Sequence, residues 1–205
     1  MACTSSKITS NWKAENIQPL NLKTILVVGL INDPDKSIRA SMETALVAHL
    51  KDLGYKAICS CDEFGPKSFD NMTEQEALNK LANSGIDAVL TILLLNKTRE
   101  RSYVPSRVSY PSYAVAQSRF WGYYSSMVEM VYSPDYYVID TRYFWESNFY
   151  SIESATQLLY SAQSQSFDPK STSSLTAEYG RMIIKDMLKA NVITEKPKEK
   201  ELLGF

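Results

Sequence analysis

The sequence predicts an α/β domain built on a mixed sheet, and two observations lead to this fold class. The first is an alternation of strand and amphipathic-helix patterns, β-α-β-α-β, between residues 23 and 95. Such an order is typical of a parallel core with helical crossovers. The second is a pair of long strand patterns, 136–150 and 157–167, which predict a C-terminal antiparallel hairpin. A final helix follows them.

The parallel core begins at Lys23–Ile31, a continuous apolar run rich in β-branched residues, which predicts a strand buried on both faces. Apolar residues at helical spacing predict a helix over 36–53, and Gly54 is placed where a helix C-terminus favours glycine. A capping-box pattern, Thr73–Glu76, predicts the start of the second helix. The remaining core elements are predicted over 55–61, 73–84 and 87–95.

The second half of the chain is less regular. Residues 97–118 are polar, contain two prolines and show no period, which predicts a long functional or mobile loop. After the hairpin, apolar residues at helical spacing predict the last helix over 174–191. We therefore predict a flexible N-terminal tether over 1–15, a single α/β domain over 16–194 and a charged tail over 195–205.

Cys59 and Cys61 are two residues apart in the second strand pattern. This separation is too short for an unstrained disulfide, so we expect buried free thiols. A single C-x-C pair also supplies too few ligands for a structural zinc ion.

Acidic residues after two of the strands carry the enzyme hypothesis. Asp33 and Asp35 follow the first strand, and Asp62 and Glu63 follow the second. Parallel sheets bind ligands at the carboxyl ends of their strands, where clustered carboxylates could hold a divalent cation for a metal-dependent hydrolase. Acids at these positions also serve as helix caps and turn residues, and the single histidine, His49, lies mid-helix. We predict no catalytic residues, no cofactor and no metal ion as the main interpretation.

The segment 99–137 is rich in arginine and aromatic side chains, which favour protein or glycan contacts. It could instead cover an edge or face of the sheet. A net charge of −1 with no basic field argues against nucleic acid as a partner. The predicted partner-binding residues are Arg99, Arg101, Tyr103, Arg107, Tyr110, Tyr113, Arg119, Phe120, Trp121, Tyr123 and Tyr124.

The first residues, Met1-Ala2-Cys3-Thr4, resemble a bacterial lipoprotein after removal of its signal peptide. The resemblance implies that Cys3 is lipidated and anchors the chain to a membrane. Threonine rather than aspartate after the cysteine implies the outer membrane, by similarity to Gram-negative sorting signals.

The hairpin carries a second resemblance. Glu146–Ser154, Leu158–Ser164 and Phe167–Pro169 are similar to a pattern in bacterial lipoproteins of unknown function, although Tyr160 stands where tryptophan is commoner. The resemblance implies a lipid-anchored cell-envelope protein on the periplasmic face of the outer membrane. We expect a non-catalytic binding or assembly module whose partner is an envelope protein or glycan. The alternatives are the metal-dependent hydrolase and an unanchored cytoplasmic binding domain.

Overall fold

A computed structural model describes residues 5–15, 22–64, 69, 71–104, 136–152 and 157–196, with the backbone alone at 63, 102–104 and 136–138. The chain divides into two compact units, one formed by 1–98 with 142–205 and the other by 99–141. The described elements are β1 (Ser6–Lys13), β2 (Thr24–Leu30), α1 (Ser37–Asp52), β3 (Lys56–Cys59), α2 (Ser60–Glu63), α3 (Glu74–Asn83), β4 (Ala88–Val104), β5 (Tyr136–Ser151), β6 (Gln157–Phe167) and α4 (Thr172–Lys189).

The strands form one six-stranded sheet in the order β1-β6-β5-β4-β2-β3. β2 pairs in parallel with β3 and β4, whereas β6 pairs antiparallel with β5 and β1. The mixed α/β class with a parallel core, an antiparallel hairpin and a final helix is therefore confirmed.

The helix boundaries follow the local signals in the sequence. Thr73 and Glu76 form the capping box at the start of α3, and Ser171 caps α4 in the same way with Ser174. Gly54 follows α1 with a φ of 85°, a conformation that suits glycine because it has no Cβ.

The sheet separates two apolar clusters, because alternate residues of a strand point to opposite faces. Ile25 and Val27 of β2 pack into a large core with α1 and α4, while Leu26 packs into a small core with Leu81 of α3. The largest fully buried side chains in the described part of the chain are Trp145, Tyr160, Tyr179 and Phe149, and all four lie on the larger side.

Two strand predictions need correction. Ser6–Lys13 is not part of a flexible tether but an edge strand paired with β6. Most of its side chains are exposed, and hydrogen bonds to the β6 backbone form the strand. Its sequence therefore has no alternation of apolar residues from which a strand could be predicted. β4 continues to Val104, through residues predicted as loop, because neighbouring β5 is equally long and satisfies its backbone groups.

None of the described helices combines the length and the apolar character that crossing a bilayer requires.

Candidate functional site

A buried carboxylate lies at the carboxyl ends of β2 and β3. Glu43 of α1 is completely inaccessible to solvent. It is in phase with Leu46, Val47 and Leu50, so its side chain projects from the apolar face of the helix towards the sheet. A buried carboxylate is costly unless it is hydrogen-bonded, and its partners therefore define the site.

Four nitrogen- or oxygen-bearing groups contact the Glu43 carboxylate. The Gly29 amide donates to Oε1 over 2.8 Å, and the Cys61 amide donates to Oε2 over 3.0 Å. The Ser60 hydroxyl is 2.9 Å from both oxygens, and Nε of Arg39 is 3.8 Å from Oε1. These donors and the cationic Arg39 offset the cost of burying the charge.

Gly29 is required for this approach. A Cβ atom at position 29 would lie 2.8 Å from Cγ of Arg39 and 2.9 Å from Oε1 of Glu43. Any other residue would therefore displace the side chains of Arg39 and Glu43 and disturb the hydrogen bond from the Gly29 amide.

The cysteines adjoin the same carboxylate. Cys59 and Cys61 are joined in a disulfide with a Cα–Cα distance of 5.1 Å, within the usual range for disulfides. Cys59 is buried, whereas Cys61 is exposed. The prediction of two buried free thiols is therefore wrong. The turn into α2 bends the chain sharply after Cys59 and brings together side chains that a continuous strand would hold apart.

A buried ion pair lies beyond the end of β2. Nζ of Lys97 is 2.7 Å from Oδ2 of Asp33, which is almost fully buried. The lysine also lies 4.8 Å from the centroid of the Tyr143 ring. Desolvation opposes the charged lysine, but hydrogen bonding and charge from Asp33 and Tyr143 outweigh it and raise the pKa of Lys97. Asp33 is thus neutralised by a lysine within the protein.

Asp35 has a structural role. Its carboxylate accepts hydrogen bonds from the hydroxyl and amide of Ser37 at the start of α1, and from the hydroxyl of Thr172 in α4. The hydrogen bond from the Ser37 hydroxyl, followed by that from the Ser37 amide, lowers the pKa of Asp35.

The acids of the enzyme hypothesis do not assemble into a metal centre in the described part of the chain. There, three potential ligands lie within 4.8 Å of one another only at Glu43, Cys59 and Cys61. Asp33, Asp35 and Asp62 form no such group, and the Glu63 side chain is outside the description. Asp33 pairs with Lys97, and Asp35 is hydrogen-bonded to Ser37 and Thr172.

The predicted partner-binding residues fall in the second unit, 99–141. Arg99 and Arg101 are exposed on β4, and Tyr103 lies on the same strand. Ile139 of β5 is 59% exposed, which is unusual for an isoleucine in a long strand. The predicted residues outside the description are Arg107, Tyr110, Tyr113, Arg119, Phe120, Trp121, Tyr123 and Tyr124.

The N-terminal strand borders a groove against α4. Ser5 donates hydrogen bonds from its amide and hydroxyl to Glu178, and the Ser6 hydroxyl bonds that of Ser166. The groove beside these contacts measures about 380 Å³. It is lined in part by Arg181, Lys185 and Lys189, which are four residues apart and exposed along one side of α4. Cys3 lies outside the described residues.

Sequence reasoning missed Glu43, although a signal was present. An acidic residue in phase with the apolar stripe of a helix is uncommon, because burying its charge requires partners. Those partners come from β2, β3 and α2, which are distant in the sequence, so the pattern could flag the position without revealing its role.

Comparisons with known proteins complete the description. No family model and no curated protein matches the chain. Among solved structures, the PelC dodecamer from Paraburkholderia phytofirmans is 10% identical, with a TM-score of 0.45 over 93% of this chain and 99% of that one. Lipoprotein GNA1162 from Neisseria meningitidis is 17% identical, with a TM-score of 0.44 over 82% and 99%. The rare lipoprotein B from Shewanella oneidensis is 14% identical, with a TM-score of 0.30 over 83% and 97%.

The structures similar to this chain thus include lipoproteins. Because these TM-scores are all below 0.5, neither a family nor an activity is drawn from them. The lipoprotein interpretation stays a prediction from the residues themselves.

Proposed function

We propose that this chain is a cell-envelope lipoprotein, anchored through Cys3 on the periplasmic face of the outer membrane, that acts as a non-catalytic binding or assembly module. The observation that carries the binding role is the composition of the second unit, 99–141. Its described residues expose Arg99, Arg101 and Ile139 on strands. Strands hold such side chains more rigidly than a loop does, and pre-ordered side chains lose less entropy on binding.

The favoured partner is another envelope protein. Arginine and apolar side chains together are enriched in the cores of protein interfaces. The aromatic residues between 110 and 124 add to this composition, and glycan binding is the other outcome that the experiment below distinguishes.

Chain geometry supports the anchor. Ser5 is held by Glu178, and one residue separates it from Cys3. Two residues of chain span at most about 7 Å. A lipid on Cys3 would therefore bring the β1–α4 groove to the bilayer. There Arg181, Lys185 and Lys189 would face anionic head groups, which adds the second attraction that a single acyl chain needs.

Metabolic labelling tests the anchor. The native gene is expressed in its host with labelled palmitate, and wild type is compared with Cys3→Ser. We expect label and membrane sedimentation in wild type and neither in the variant. Unlabelled wild-type protein in the cytosolic fraction would exclude the anchor and favour the cytoplasmic binding domain.

Charge and apolar substitutions test the binding surface. Arg99→Glu combined with Ile139→Asp should abolish cross-linking of the anchored protein to its envelope partner. Lys51→Glu, an equally exposed change on α1, is the matched control and should have no effect. The double variant and the Lys51→Glu control could both cross-link like wild type. If the double variant then no longer binds envelope glycans, the partner is a glycan.

A further inference from the structure

The Cys59–Cys61 disulfide and its neighbour Glu43 have no part in the binding role proposed above. The disulfide lies at the end of β3, where the chain turns into α2. Its two sulfur atoms occupy different environments, since the Cys59 side chain is 3% exposed and that of Cys61 is exposed to solvent. An incoming thiolate can therefore reach the sulfur of Cys61 but not that of Cys59.

Glu43 contacts the protected sulfur. Its Oε2 atom lies 2.9 Å from Sγ of Cys59. A sulfur atom within a disulfide carries no proton, so this contact is a hydrogen bond only when one of its two atoms is protonated. In the reduced chain the Cys59 thiol can donate to the carboxylate.

The position of the carboxyl group is held from several sides. The amides of Gly29 and Cys61 and the hydroxyl of Ser60 all donate to it, and each lies next to or within the turn that carries the cysteines. A carboxylate held in this way can accept a hydrogen bond from the Cys59 thiol without rearrangement once the disulfide is reduced.

We propose that Cys59–Cys61 is a redox-active disulfide that exchanges with dithiols, and that Glu43 is a positioning residue that holds Cys59 as a thiol in the reduced chain. A thiolate of the dithiol attacks Sγ of Cys61 and forms a mixed disulfide, while the bond between the two protein sulfur atoms breaks. Cys59 leaves as a thiolate, takes a proton from solvent and donates it in a hydrogen bond to Oε2 of Glu43. The second thiol of the dithiol then displaces Cys61, which is protonated from solvent.

The reaction is balanced in electrons and protons. The dithiol loses two electrons and two protons and becomes a cyclic disulfide, and the protein gains both as the thiols of Cys59 and Cys61. The inference does not rest on the lipid anchor or on the 99–141 surface.

Redox titration of the full chain tests the proposal. Cys3→Ser serves as the background, because the chain has three cysteines and this leaves the two of interest. The protein is equilibrated with mixtures of reduced and oxidised dithiothreitol, and free thiols are alkylated and counted by mass. We expect zero or two alkyl groups, never one, with a single midpoint.

The role of Glu43 is measured by the midpoint of the same titration. Glu43→Gln should raise the ratio of reduced to oxidised dithiothreitol at the midpoint about tenfold, because the reduced chain loses a charged acceptor for the Cys59 thiol. Glu74→Gln, the same change at an exposed position of α3, is the control and should keep the wild-type midpoint. A wild-type midpoint in folded Glu43→Gln would overturn the role of Glu43.

A second pair of variants keeps the test decisive if Glu43→Gln does not fold. Cys59→Ser should form a stable mixed disulfide with glutathione at exposed Cys61, whereas Cys61→Ser should leave buried Cys59 unmodified. Equal modification of both variants would overturn the proposed order of attack.

A metal ion is the competing use of the same atoms, since Glu43, Cys59 and Cys61 place three ligand atoms within 4.8 Å. If the reduced chain bound one zinc ion and then resisted oxidised dithiothreitol, the site would be a metal site and the redox proposal would be overturned.

Discussion

The two faces of the sheet differ in size and in role. One face packs against both long helices, and its cluster contains Trp145, Phe149, Tyr160 and Tyr179. The other packs against α3, and its buried members among the described residues are Leu26, Phe64, Leu81 and Ile86. β2 contributes side chains to both clusters. A strand that is apolar throughout can therefore face two cores of unequal size. The larger face stabilises the fold, and the buried carboxylate of Glu43 lies at its rim.

Truncation of matched leucines should show the largest difference between the faces. Leu46→Ala in α1 removes a fully buried side chain from the large core and should cost about 2–5 kcal/mol of unfolding free energy. Leu81→Ala in α3 should cost about half as much, because Leu81 lies in the smaller cluster and is 8% exposed. Urea denaturation measures both, and equal losses would show that the small core is as tightly packed as the large one.

Alkaline pH should give the second-largest effect, because it ionises two tyrosines of the large core. Burial raises the pKa of Tyr160, as does its hydrogen bond to Asp186, and burial raises the pKa of Tyr179. The unfolded chain ionises these phenols near pH 10, so the stability they contribute is complete below pH 10 and is lost as pH rises above it. The loss should be at most about 1.4 kcal/mol per pH unit for each phenol.

Denaturation between pH 8 and 11 measures this loss. Tyr160→Phe should give a shallower decline, because one ionisable group is removed. A decline as steep as that of wild type would assign the effect to other residues.

Removal of the helix caps should give the smallest effects. It compares the two faces of the sheet because each substitution removes one capping hydroxyl. Thr73→Ala removes the cap of α3, and Ser171→Ala removes that of α4; each should cost about 1 kcal/mol. Because α3 has the smaller core, Thr73→Ala should also speed amide hydrogen exchange within α3 alone, whereas Ser171→Ala should leave α4 protected. Faster exchange throughout the domain in Thr73→Ala would mean that α3 unfolds only with the rest.

Local patterns predicted most of the fold. β6 begins and ends where alternation and flanking polar residues place it, at Gln157 and Phe167. The capping box at Thr73 and the positive φ of Gly54 were also predicted, because each depends on residues within one turn of helix. β1 was missed, since an exposed edge strand is formed by hydrogen bonds to a partner about 150 residues away and needs no apolar period.

The candidate site likewise has features that the local sequence predicts and features that only distant contacts create. The sequence places two cysteines and several acids after strands, which suffices to draw attention to the carboxyl edge of the sheet. It pointed to Asp33 and Asp35, whose charges are taken up by Lys97 and by the start of α1. The acid that contacts the disulfide is Glu43, and its role is recognisable only from the groups that surround it in the fold.

By itself, then, the sequence determined the order of helices and strands, the parallel core and the positions of the caps, because these depend on periodicity and on hydrogen bonds between near neighbours. Tertiary structure decided the pairing of β1, the unequal faces of the sheet, the disulfide and the surroundings of Glu43. Those features depend on which distant backbone and side-chain groups meet, and on the desolvation that makes a buried charge select its partners.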